Sequence, residues 1–162
     1  MLLIAASPLT VSLAKSRAEG NRLDVAQRVG IALFSTEWPA QVLKVHADGA
    51  SGSVVVGLVL SGAKFHHPLT KRAFLSEVET LIARTFSADS AIGEVDAWAI
   101  IPVPVARGAI VSGSLAIPTS RTVFTVSVLR SESQAALAHR LAIGRNIFWD
   151  EDWRRSALKS TP

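Results

Sequence analysis

The sequence predicts an α+β fold, a mainly antiparallel sheet of about five strands with helices packed on one face. Three patterns predict it. Two long segments repeat apolar residues at helical spacing. Several shorter runs are rich in β-branched residues and bounded by Gly, Pro, Asp or Ser. Their order, helix–strand–strand–helix–strand–strand–strand–helix–helix, suits one sheet covered by helices.

The first helix runs from Asn21 to Thr36, with Val25, Ala26, Val29, Ala32 and Leu33 on its stripe. Asn21 is a fitting N-cap, and Asp24 and Arg28 form a favourable i,i+4 pair. Gly30 weakens this helix and points to close packing against another element. Pro39 stops it. Gln41–His46 and Ser53–Leu60 follow as strands joined by a turn with Asp48-Gly49 at its head. The second of them is apolar on both faces, which predicts a central strand.

Thr70–Ala88 is the clearest helix, N-capped by Thr70, with Phe74, Val78, Leu81, Ile82, Thr85 and Phe86 along one face. Glu94–Ile101 is the third strand, ended by Pro102-Val103-Pro104. Ala109–Ile117 and Arg121–Arg130 read as a second hairpin through Pro118-Thr119-Ser120. Phe124, Val126 and Val128 alternate with Thr125 and Ser127, a strand with one wet face. Ser133–Ile143 is a short helix ended by Gly144, and Asp150 caps a last turn or two from Glu151 to Lys159. From Asn21 to Ile101 the element order resembles that of the small BON domain, which is associated with the cell envelope.

Length and composition narrow the chemistry. The 162 residues suffice for one domain of ordinary size. The absence of cysteine excludes disulfides, thiol catalysis, Cys-ligated zinc and iron–sulfur clusters. With 49% apolar and 19% charged residues, the chain is not a disordered one. No uninterrupted apolar run reaches the roughly 18 residues that mark a membrane-spanning helix. The net charge of +4 favours anionic partners, but the basic residues are scattered.

Met1 to Ala14 carry no charged side chain. Two small-x-small patterns follow, Ser12-Leu13-Ala14 and Ser16-Arg17-Ala18. This is the pattern of a secretory or membrane-proximal leader, though no basic residue precedes it. Residues 1–20 are therefore expected as a leader or N-terminal arm, of which 1–14 are dispensable for folding, 21–145 as the α+β domain and 146–162 as a C-terminal tail. The expected location is the periplasm, the envelope or a membrane-proximal position, with the cytoplasm as the alternative.

No catalytic motif of high specificity is present. His66 and His67 are adjacent, and neighbouring side chains in an extended segment point apart, so they do not chelate one ion together. Lys64, His66, His67, Lys71 and Arg72 fall within nine residues, and the last two begin the second helix. Cations there oppose the helix dipole, a local cost that hints at an anion such as a phosphate, a lipid head group or a partner carboxylate. There is no P-loop and no G-x-S-x-G. Glu77 and Glu79 lie two apart on a helix and so face different ways, which argues against paired-carboxylate catalysis.

The segment from Asn146 to Arg155 concentrates Phe148, Trp149 and Trp153 with Arg154 and Arg155. Trp149 and Trp153 are four apart. Either they dock a terminal helix on the core or they form a partner-binding tail, since Trp and Arg are enriched at hot spots. The function expected from these features is a non-catalytic interaction or assembly module binding a protein partner, with no cofactor and no metal. A small-molecule-binding domain or enzyme with a cleft near His66 and His67 is the first alternative. RNA binding is a weaker one, and nucleic acid is disfavoured as a partner because the strands offer only Phe124 and Trp98 as aromatic platforms.

Overall fold

A computed structural model of the chain describes residues 8–50, 53–103 and 120–159, with side chains over 21–49, 53–103 and 120–159. The elements are α1 (Pro8–Phe34), β1 (Ala40–Ala50), β2 (Ser53–Phe65), α2 (Lys71–Ala88), β3 (Ile92–Pro102), β4 (Ser120–Leu129), α3 (Gln134–Ile143), β5 (Ile147–Trp149) and α4 (Glu151–Ala157). The strands form one sheet in the order β1-β2-β3-β4-β5. Every neighbouring pair is antiparallel except β2 with β3, which α2 connects as a crossover. This is the α+β class expected. The strand expected at 109–117 lies outside the described residues, and the fifth strand among those described is β5, within the segment expected as a tail.

The first hairpin is tighter than the sequence implies. Its strands run on to the pair Ala50 and Ser53. Gly49 makes this possible: its φ is +106°, and a Cβ there would lie 2.6 Å from the Ser53 carbonyl oxygen. Helix α1 starts well before Asn21, so the expected leader and the first helix overlap in one element. Thr70, Ser133 and Asp150 cap α2, α3 and α4, each side chain accepting from a backbone N–H three residues on. Gly144 ends α3 in the left-handed region, at φ 73°.

One core unites the elements. Val54, Val56, Leu58 and Leu60 of β2 face the same cluster as Val95, Ala97 and Ala99 of β3 and Phe124, Val126 and Val128 of β4. Against it pack Val25, Val29 and Leu33 of α1, Phe74, Val78 and Leu81 of α2, Leu137 and Leu141 of α3, and Trp153 of α4. The alternation read in β4 thus sends its apolar set inward and leaves Ser127 exposed and Thr125 half-buried.

Residues 146–159 pair and pack with the rest of the described chain. Ile147 to Trp149 pair with Phe124 to Val126. The Lys159 amide donates to the Leu69 carbonyl at 2.8 Å, and Lys159 forms an isolated bridge with Thr70.

A buried acid marks the entry to β1. The ladder between β1 and β2 is irregular between Ala40 and Val42. The Ala40 amide donates instead to Glu77 Oε1 at 2.8 Å. Glu77 is only 7% exposed, and its Oε2 is buried without a partner. Loss of hydration therefore raises its pKa from 4.5 to about 7, against the opposing pull of the Ala40 bond. A folded state that holds this proton more tightly than the unfolded one loses stability as pH rises from about 4.5 to about 7, after which the loss is complete. The effect is on the order of 3 kcal/mol. Glu77→Gln keeps an acceptor for Ala40 but cannot ionise. Urea melts across this range should show wild type weakening while the variant stays level. Equal slopes would mean that Glu77 does not titrate there.

Candidate functional site

The α2 and α3 helices pack side by side and leave an open groove between them of about 590 Å³. Lys71, Arg72, Leu75, Ser76 and Glu79 line it from α2, and Ala138, Leu141 and Ala142 from α3. The spacing of these positions, three, four and seven apart, is that of a single helical face. Leu75 and Leu141 are buried and make an apolar floor. Lys71 and Arg72 stand at the end where α2 begins. Neither makes an ion pair with any described residue; the Lys71 ammonium instead lies 5.8 Å from the centre of the Trp149 ring. Glu79 lies two helical turns further along.

Only part of the expected anion cluster comes together. Lys71 and Arg72 share the groove. His66 points elsewhere, with its Nδ1 3.1 Å from Glu37 Oε1 and its amide donating to the Pro39 carbonyl. Lys64 and His67 are exposed and do not line the groove. Neither His66 nor His67 lines the groove between α2 and α3, the hollow bounded by Arg22, Leu23 and His46, or the one bounded by Thr125, Glu132 and Arg140. Among the described residues no three His, Asp or Glu side chains gather as a metal site would need.

Of the two readings of the tryptophan pair, the burial of Trp153 favours docking on the core. Trp153 is 4% exposed, and its Nε1 donates to the Gly62 carbonyl at 2.7 Å. Trp149 is half-buried, stacked on Trp153 at 6.0 Å with 22° between the rings. Both pack around Phe74. Burial of such large rings stabilises the docked arrangement. Arg154 and Arg155 each pair with an acid three residues earlier, Glu151 at 2.6 Å and Asp152 at 2.7 Å. Of the tail candidates, Phe148 is half exposed and Arg155 exposed. The acid–base order along α4 satisfies its own dipole.

The face of the sheet opposite the core brings together residues that lie far apart in the sequence. His46, Gly57, Asp96 and Ser127 lie in register across β1 to β4. The His46 ring occupies the space over Gly57, where a Cβ would lie 2.1 Å from its Cε1. It also meets Trp98 edge-on at 5.3 Å. His46 Nδ1 and Asp96 Oδ1 are buried without partners. Strict alternation along each strand could have placed these side chains on one face, but the register between strands could not be read locally.

Comparison with protein-family models, curated proteins and solved structures finds no match. The likeness to the BON domain therefore rests on element order alone. No helix among the described residues is long and apolar enough to cross a membrane.

Proposed function

We propose that this chain is a non-catalytic binding module that takes an acidic, amphipathic segment of a protein partner into the groove between α2 and α3. The observation that carries this reading is the pairing of an apolar floor, Leu75 and Leu141, with two cations, Lys71 and Arg72, that have no acidic partner among the described residues. A helix with apolar residues at i, i+3 and i+4 would bury them on that floor. The small side chains of Ala138 and Ala142 allow its backbone to come close. Carboxylates at its end would meet Lys71 and Arg72, and the charges would favour fast encounter and fix its direction. Export or residence near a membrane belongs to the same reading, supported by the uncharged stretch from Met1 to Ala14.

The test is a pull-down from native membrane and soluble fractions, comparing wild type with the Lys71→Glu/Arg72→Glu double variant. An acidic partner identified by mass spectrometry should be retained by wild type, released by moderate salt and lost in the variant. Arg72 is exposed and Lys71 half-buried, and neither has an ion pair to lose among the described residues, so the melting temperature should move little. Equal retention by both proteins would remove the groove as the contact surface.

A further inference from the structure

Helix α1 carries apolar residues on two sides, and the core uses one of them. Val25, Val29 and Leu33 are fully buried. On the opposite side Leu23 is 71% exposed, Ile31 67% and Phe34 56%, with Gln27 exposed among them. At 100° per residue these four positions fall within an arc of about 80°, and Gln27 lies near its middle. Gly30 sits at its edge. A Cβ there would lie 3.6 Å from the Phe34 ring, an ordinary contact, so Gly30 is not required by packing against another element as the sequence implied.

This outer stripe is complementary to itself when reversed. With a twofold axis through Gln27, Leu23 meets Ile31 of the other helix, and Phe34 falls opposite Gly20, which brings no side chain. The two Gln27 side chains meet on the axis. A primary amide carries both a donor and an acceptor, so each can donate to the oxygen of the other. A single polar residue within an apolar seam lowers affinity and fixes register. The charges agree with this register. Asp24 is exposed and has no ion pair among the described residues, and it comes within a few ångströms along the axis of the other copy's Arg28. Arg28 holds Asp89 through Nε and Nη2, which leaves Nη1. The same patch on both partners is what a closed twofold dimer requires.

We propose that two copies of this chain associate through antiparallel pairing of their α1 helices, centred on Gln27. The contact is smaller than the roughly 1,600 Å² of a standard interface, so the dimer is weak and concentration-dependent. The chain's lack of cysteine offers a direct test. Gln27→Cys should cross-link to a covalent dimer under mild diamide at least tenfold faster than Arg155→Cys, an exposed control on α4. Sedimentation of wild type should show a monomer–dimer equilibrium. Adding Ile31→Glu should abolish both signals without changing the melting temperature. Cross-linking no faster than the control, or a wild type monomeric at every concentration, would overturn the proposal. Flotation of a monomer with vesicles of anionic phospholipid, lost in Ile31→Glu, would overturn it in favour of a lipid surface as the occupant.

Discussion

Phe74→Ala is expected to cost about 3–5 kcal/mol. Phe74 has no exposed surface and sits where four rings converge. Phe124 lies 5.1 Å away at 89°, Trp153 at 5.6 Å, Trp149 at 5.9 Å and Phe65 at 6.5 Å. These rings come from β2, β4, β5 and α4, so the void left by the benzyl group has walls that cannot all move inward together. Edge-to-face pairs add about 0.5–1.5 kcal/mol each beyond the area they bury. Domains of this size have about 5–15 kcal/mol in total, so a large part of the stability would be lost. Equilibrium urea unfolding followed by circular dichroism measures it. A loss below about 1 kcal/mol, the range of surface sites, would mean that α2 is rotated and its apolar face is not the one turned to the sheet.

Trp153→Ala should be comparably severe, about 3–5 kcal/mol, although the residue lies close to the chain end. Two losses add. The indole leaves a cavity beside Phe74 and Trp149, and the Gly62 carbonyl loses its donor. Trp153→Phe separates the two, because it keeps most of the ring and removes only the N–H. Its cost should be nearer the roughly 1–3 kcal/mol of an unsatisfied buried acceptor. Arg155→Ala, two residues further on, should change stability by less than about 0.5 kcal/mol, since its pair with Asp152 is exposed. If Trp153→Ala melts like wild type, the C-terminal segment does not dock on the domain, and Trp149 and Trp153 return as candidates for partner contact.

The parts of the fold that were legible in the sequence rest on local rules. Thr70, Ser133 and Asp150 announce helix starts because a short polar side chain is needed to satisfy free N–H groups there. The run Val54–Leu60 announces a central strand because only a strand covered on both faces tolerates continuous apolar side chains. The missed strand β5 is three residues long. Too short to show alternation, it exists only because β4 presents an edge to pair with. Half of the candidate site was legible in the same way. Lys71 and Arg72 stood out because they break the dipole rule, but Ala138 and Leu141 carry no signal of a groove.

By itself the sequence determined the α+β class, the stripe of α2 that faces the core and the absence of cysteine chemistry, since each follows from composition or from periodicity within one element. The tertiary structure alone decided three matters: that Trp153 is a core residue, that His66 parts from Lys71, and that α1 leaves Leu23, Ile31 and Phe34 uncovered. Each depends on which distant segment lies alongside. Residues 62 and 153 meet through a hydrogen bond across 91 positions, and nothing in either local stretch encodes that distance. Burial and pairing belong to the assembled surface, where a side chain's partners are set by sheet register and helix packing and not by its neighbours along the chain.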